Sequence, residues 1–244
     1  MWVFPKSFFQ LQLTFVKKIR VHHHCSLIHG LFLYTCFYVR ALGFSDKNPP
    51  TEKNKGWQEI IKNLPVNQKH WAGYFYQKYV DYEKVKPKRT NQKVFGCFGY
   101  SWHQDKNAFE LHFHNSDPKG NLSKDRVQAR TKELRQMFKS MKSQNKPTAK
   151  VFMRSWLQNI NSFKRLFPEK FSEAAKPWNK QQAQDLSHWG QFVDRSGKLK
   201  RDLAEQLMRN AEKKRTYIND YFPLPCLIAE VDQNIFYKFY KLSN

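Results

Sequence analysis

Alternating apolar and polar residues mark the centre of the chain as a pair of β-strands. The run at 108–114 alternates strictly, which is typical of a strand with one buried face. Its apolar face carries Phe109, Leu111 and Phe113, and its polar face carries Glu110, His112 and His114. An apolar run at 94–102 precedes it, and the five polar residues between the two runs suit a hairpin.

Before and after this hairpin in the sequence, apolar residues recur at helical spacing. This spacing predicts helices over 57–64, 67–83, 123–142, 156–167, 181–193 and 198–215, and a closing helix after Asp232. The helix over 123–142 leads to an apolar run at 149–155, and a helical crossover can place two strands parallel in one sheet. We therefore expect an α+β or α/β fold with a small mixed sheet, made of the hairpin at about 94–114 and strands at about 149–155 and 225–231, packed with several helices.

The first 44 residues differ from the rest of the chain. They contain five Lys or Arg and no Asp or Glu, and an apolar run at 25–39. That run is shorter than the roughly 20 residues that span a bilayer. Three interpretations are open: an interfacial or weak membrane anchor, a signal-type segment, or sequence outside the working domain. We expect residues 1–44 to be peripheral or weakly membrane-associated, and residues 45–244 to form a single globular α/β domain.

The chain carries a large positive charge, which favours anionic partners. The chain has 43 Lys or Arg against 20 Asp or Glu, a net charge of +23, which favours nucleic acid, phosphates or membrane headgroups. Lysines scattered over a solvated surface would give the same charge, and that alternative stays open. The helix over 123–142 carries the candidate anion-binding residues Lys124, Arg126, Arg130 and Arg135.

Two of these arginines are four residues apart. Arg126 and Arg130 are expected to leave one face of the helix, where they could bind a phosphate together. The alternative is a pair of simple surface arginines. In the first interpretation, changing both to Gln weakens anion binding about tenfold. Thermal stability should hardly change, because exposed charges contribute little to it.

The polar face of the strand at 108–114 is the second candidate site. His112 and His114 lie on one side of the strand, about 7 Å apart, close enough to share a metal ion. Glu110 or Asp117 could complete a metal set, or pair with a histidine that acts as a general base. The alternative is an ordinary strand face without chemistry.

The sequence lacks the usual phosphate-binding and hydrolytic motifs. It contains no P-loop, no G-x-G-x-x-G, no G-x-S-x-G and no H-E-x-x-H. Gly96 and Gly99 lie within the strand at 94–102 and do not form a phosphate-binding loop. Cys97, between them, has no His or carboxylate at a diagnostic spacing, so we expect a small core residue.

Two blocks of sequence carry a resemblance to a known fold. The first is the strand–Ser-Trp-Leu–helix block at 151–157, which is followed by Phe-Lys-Arg-Leu-Phe-Pro at 163–168. The second is the Leu-His-Phe-His strand at 111–114, which is followed by Ser-Lys-Asp-Arg at 123–126. Together they resemble bacterial acyltransferase-like proteins related to the GCN5 N-acetyltransferase fold. The acetyl-coenzyme A loop of such enzymes, R/Q-x-x-G-x-G/A, is absent, and Asp-Pro-Lys-Gly-Asn-Leu-Ser at 117–123 stands in its place. The resemblance implies a strand–helix–strand arrangement and, for an enzyme of this kind, an acyl-coenzyme A cofactor.

Three functions remain open at this point. The favoured one is a basic, bacterial-type globular protein that binds an anionic partner, either a phosphate-bearing ligand or nucleic acid. The alternative is an acyltransferase-like enzyme, or a degenerate relative of one, that binds acyl-coenzyme A near 122–126. The third is an interaction module brought to a membrane by residues 1–44. We expect a cytoplasmic location with peripheral membrane association.

Overall fold

The computed structural model describes residues 3–43, 50–86, 93–114 and 116–242. These residues form a mixed α/β fold with a six-stranded sheet, which confirms the expected fold class. The helices are α1 (Lys6–Ile19), α2 (Leu27–Tyr34), α3 (Phe37–Leu42), α4 (Lys55–Lys62), α5 (Trp71–Val85), α6 (Val127–Lys142), α7 (Asn161–Lys164), α8 (Glu169–Glu173), α9 (Leu186–Trp189), α10 (Arg201–Asn210) and α11 (Gln233–Phe239). The strands are β1 (Lys93–Phe95), β2 (Phe98–His103), β3 (Ala108–Phe113), β4 (Lys150–Ser155), β5 (Lys176–Pro177) and β6 (Leu227–Asp232).

The chain folds as two compact units, each with its own hydrophobic core. Unit 1 comprises Met1–Pro87 and Asn179–Pro225, and unit 2 comprises Lys88–Trp178 and Cys226–Asn244. This division differs from the expected peripheral segment followed by one domain, because the boundary near residue 44 falls inside unit 1.

The N-terminal helices belong to the core of unit 1. Phe8, Phe9 and Phe15 of α1 are completely buried. The side-chain oxygen of Gln12 accepts a hydrogen bond of 2.8 Å from the backbone N–H of Cys36, at the break between α2 and α3, which satisfies a buried donor. An aromatic, acid-free segment has the same composition whether it packs against protein or against lipid, so the sequence alone did not distinguish the two.

The apolar run at 25–39 is divided between two short helices, α2 and α3. No helix of the residues described here is both long and apolar enough to cross a bilayer.

The sheet belongs to unit 2, with strand order β1-β2-β3-β4-β6-β5. The predicted hairpin is confirmed, since β2 and β3 pair antiparallel with Ser101 opposite Glu110. The helical crossover through α6 makes β3 and β4 parallel, as expected. The predicted strand over 94–102 is interrupted by a turn at Gly96, whose φ of +60° favours glycine.

Helix α6 packs against β1 and β2 of the sheet. It buries Leu134, Phe138 and Met141 on the side that faces the core. The ring of Phe138 stacks on Phe236 of α11 and on Tyr240, which follows this helix, with centroid distances of 4.5 and 5.1 Å. These contacts fix the end of the chain against α6.

Several helices of the structure differ in length from those that the sequence predicts. The helix expected from 123 begins with a 3₁₀ turn at Lys124–Arg126, and α6 starts at Val127. The helix expected over 156–167 is a 3₁₀ turn at Trp156–Asn159 followed by the short α7. The helices expected over 181–193 and 198–215 shorten to α9 and α10. The closing helix is confirmed, and Asp232 caps it by accepting a hydrogen bond of 2.8 Å from the N–H of Asn234.

We expect Phe9→Ala to lower the free energy of unfolding by about 3–5 kcal/mol, because it removes a fully buried aromatic ring. Chemical denaturation followed by far-ultraviolet circular dichroism measures the change. Val21→Ala is the matched control: Val21 is 64% exposed, and its replacement should shift stability by no more than about 0.5 kcal/mol. Equal stability of the two variants would show that α1 lies outside the core.

Candidate functional site

The outward face of α6 carries a row of cationic side chains. Lys132, Arg135 and Lys139 are exposed, and their spacing of three and four residues places them on one face of the helix. They line a groove of about 680 Å³ together with Lys142 and Lys241. No acidic side chain is among the described residues that line it.

The same sequence pattern that builds the core produces this row. Burial of the apolar positions of α6 turns the intervening polar positions outward. The helix has one acidic residue, Glu133, and its carboxylate is directed away from the row. Its oxygens accept hydrogen bonds from the backbone N–H of Cys97 at 2.9 Å and from Nη2 of Arg130 at 2.6 Å. The row therefore keeps its positive charge uncompensated along α6.

One wall of the groove comes from the segment that follows α11. Nζ of Lys142 donates a hydrogen bond of 2.7 Å to the carbonyl oxygen of Leu242 and lies 5.8 Å from the ring centroid of Tyr237. Lys241, next to Leu242, has a φ of +51°. The groove thus forms between two segments of unit 2 that are about 100 residues apart in sequence.

Arg126 and Arg130 converge on a carboxylate. Oδ2 of Asp117 lies 2.6 Å from Nη2 of Arg126 and 3.2 Å from Nη2 of Arg130. Nη2 of Arg130 is also 2.6 Å from Glu133, and its Nη1 is 2.6 Å from Sγ of Cys97. Arg130 is only 2% exposed. We expected Arg130 to be exposed, so that its replacement would hardly change stability. Its burial among these partners does not fit that expectation.

The loop at 117–121 holds this network in place. The backbone N–H of Lys119 donates to Asp117, and this hydrogen bond, with the Arg126 guanidinium, keeps the pKa of the Asp117 carboxyl below its ordinary value. Oδ1 of Asn121 accepts hydrogen bonds from the backbone N–H of Asp117 at 2.8 Å and from Sγ of Cys97 at 3.1 Å. Cys97 is buried, as expected, although its contacts are polar as well as apolar.

Polar side chains also meet on the face of the sheet that carries Glu110 and His112. Nε2 of His103 lies 2.8 Å from Oε2 of Glu110, and Nη2 of Arg154 lies 3.1 Å from Oε1 of the same carboxylate. Oγ of Ser101 lies 2.8 Å from Nε2 of His112 and 3.4 Å from Nε2 of His103.

The four residues that the sequence analysis grouped into one possible metal or acid–base site do not all lie together in the structure. Asp117 belongs to the arginine network, while Glu110 and His112 belong to the sheet cluster. His114 follows the end of β3, where its backbone N–H donates to the carbonyl of Cys97. Within the described ranges, no group of three or more His, Cys, Asp or Glu side chains is arranged to hold a metal ion.

The anion-binding candidates are separated in the same way. Of the four, Arg135 lines the groove. Lys124 is exposed in the 3₁₀ turn that precedes α6, and the other two belong to the Asp117 network. The groove adds Lys132, Lys139, Lys142 and Lys241, and the sheet cluster adds Ser101, His103 and Arg154.

Part of this arrangement could have been found from the sequence. The cations of α6 recur at helical spacing opposite its apolar stripe. Ser101 and His103 alternate with apolar neighbours, as Glu110 and His112 do in the next strand. The contribution of Lys241 depends on a long-range contact and has no local signal.

No protein-family model, curated protein or solved structure matches this chain. The resemblance to acyltransferase-like proteins stays a prediction.

We expect Arg130→Met to destabilise the protein by about 3 kcal/mol, because it leaves two carboxylates without their buried cation. Arg126→Gln should cost less, because 29% of the Arg126 side chain is exposed. Urea denaturation measures both changes. Arg135→Gln removes an exposed arginine of the same unit and serves as control, with little expected change. An Arg130→Met protein as stable as the control would contradict a structural role for the network.

Acidification should weaken the same network. A carboxyl whose pKa is lowered by folding stabilises the folded state above its unfolded pKa of about 3.9, and this contribution is lost as the pH falls through the lower folded value. Asp117→Asn should therefore make the free energy of unfolding less dependent on pH between about 5 and 3. Asp125→Asn, which removes an exposed carboxylate of the adjacent turn, is the control. An unchanged slope for Asp117→Asn would contradict the prediction.

Proposed function

We propose that the protein binds a phosphate-bearing polyanion, with a nucleic-acid backbone as the favoured ligand, through the groove along α6. The observation that carries this proposal is the lining of the groove, which includes five Lys or Arg residues and no acidic residue among those described. The positive charge of Lys132, Arg135 and Lys139, which line this concave surface, attracts a ligand of opposite charge.

The arrangement of the cations favours a polymer over a single phosphate. Lys132 and Lys142 are ten residues apart on α6, which corresponds to about 15 Å along the helix axis. Arg135 and Lys139 lie between them at intervals of about 5 Å. A single phosphate would be bound by cations that converge on a point, whereas a row matches charges that repeat along a chain.

Binding of this kind depends on salt and not on base sequence. Each phosphate that a Lys or Arg neutralises releases condensed counterions, so log K falls with log salt concentration by about 0.9 per contact on a duplex and about 0.7 on a single strand. Three contacts, made by Lys132, Arg135 and Lys139, would give a slope of about −2.7 on a duplex. The sequence contains no base-reading motif, so the proposal extends to the backbone alone.

We expect Arg135→Gln/Lys139→Gln to weaken binding to a 20-base-pair DNA or RNA at least tenfold at about 50 mM salt. The salt slope should become less negative by about 1.8, because two phosphate contacts are lost. Fluorescence anisotropy at salt concentrations between about 50 and 200 mM measures both quantities.

The matched control is Lys150→Gln/Lys170→Gln, which removes the same charge from exposed positions of unit 2 outside the groove. Its affinity and slope should stay close to those of the unchanged protein. If both double variants lose affinity equally, the charge acts as a whole and the groove is not the binding site. Absence of any binding at 50 mM salt would overturn the proposal.

An acyl-coenzyme A-dependent transferase is the second candidate function. The observation in its favour is that β3 and β4 run parallel but pair only at 108–110 with 150–152, although each strand has six residues. The carboxyl ends of parallel strands are a common location for ligands. A calorimetric titration with acetyl-coenzyme A tests this candidate. Binding heat that is the same in the Arg135→Gln/Lys139→Gln variant would support it. Heat that disappears in that variant would assign the coenzyme phosphates to the groove.

A further inference from the structure

Five polar side chains form a continuous chain of contacts across β2, β3 and β4. It runs from Arg154 to Glu110 at 3.1 Å, from Glu110 to His103 at 2.8 Å, from His103 to Ser101 at 3.4 Å and from Ser101 to His112 at 2.8 Å. Ser101 lies opposite Glu110 in the register of the hairpin, so the cluster is held by paired strands. Sites built on strands keep their geometry better than sites built on loops.

The chemistry of the carboxylate sets the direction of these hydrogen bonds. Glu110, paired with Arg154, can only accept. Nε2 of His103 therefore carries a proton and donates a hydrogen bond to Glu110. A protonated nitrogen cannot accept from the hydroxyl of Ser101, so within this cluster the hydroxyl proton has one acceptor, Nε2 of His112 at 2.8 Å.

We propose that Ser101 is the nucleophile of an acyl-transfer site and that His112 is its general base. Their separation lies within the roughly 2.6–3.2 Å over which a base activates a hydroxyl nucleophile. Both side chains are only partly buried. The substrate class is an acyl group carried as an ester or thioester. This activity goes beyond the proposed polyanion binding and does not depend on it.

The remaining members of the cluster are positioning residues. Glu110 keeps the Nε2 proton on His103, which prevents His103 from competing for the hydroxyl proton of Ser101. Arg154 holds Glu110 in place through its second oxygen. The arrangement directs the proton of Ser101 toward His112.

The reaction proceeds through an acyl-serine. Oγ of Ser101 attacks the acyl carbon while Nε2 of His112 accepts the hydroxyl proton. The bond from the acyl carbon to the alcohol or thiol oxygen or sulfur breaks, and the leaving group takes the proton from His112. Water then attacks the acyl-serine and gives a proton to His112, which returns it to Oγ. The products are a carboxylic acid and the alcohol or thiol.

A fluorophosphonate probe tests this directly on the full-length protein. Oγ of the nucleophile forms a bond to phosphorus, fluoride leaves, and the hydroxyl proton passes through the base to solvent. We expect mass spectrometry to find the label on Ser101 and Ser101→Ala to abolish it. His112→Gln should slow labelling at least a hundredfold. Glu110→Gln should alter the pH profile of labelling, which a merely structural role would not do.

Ser140→Ala is the matched control, because the hydroxyl of Ser140 contacts the hydroxyl of Tyr100 at 3.0 Å, without an imidazole. It should label at the original rate. A measurement on the unchanged protein avoids any folding defect: an excess of p-nitrophenyl acetate, present together with the probe, should slow the labelling of Ser101, because an acylated Ser101 cannot react with the probe. Absence of label, or a label on another serine, would overturn the proposal.

Discussion

Unit 2 depends on the packing of one face of α6 against the sheet. Phe138 is fully buried and stacks on Phe236 of α11 and on Tyr240 after it, so the same contacts fix α6 and the segment from Phe236 to Tyr240. Because the apolar positions of α6 must face inward, its basic positions face outward. The positive row is a consequence of how this helix folds.

The arginines of this region show why charge in the sequence does not identify a binding residue. Arg130 and Arg135 are both basic residues of α6, yet Arg130 lies among two carboxylates and a sulfur, whereas Arg135 lines an open groove. Burial of an arginine is costly unless carboxylates pair with it, and Asp117 and Glu133 fulfil that requirement. The partners determine which arginine supports the fold and which remains available to a ligand.

Local patterns predicted the central part of the fold, and long-range packing determined the rest. Strict alternation in β3 and helical spacing in α6 identified a hairpin, a crossover and a parallel strand, all of which the structure contains. The N-terminal helices could not be assigned in this way, because only their contacts with the rest of unit 1 distinguish a core helix from a peripheral one. For the same reason, Lys241 carried no signal until the structure placed it beside α6. Alternation puts Ser101 on the polar face of its strand, but only the structure shows its contact with His112.

The contact between Lys142 and the carbonyl of Leu242 has a consequence for synthesis. The ribosome makes α6 about 100 residues before it makes the segment that completes the groove. During translation the basic helix is therefore exposed without α11 beside it, close to the ribosomal RNA. Only after residue 242 has left the exit tunnel can the ring of Phe138 stack on α11 and the groove take its final form. The groove is thus assembled only after both of these segments have been translated.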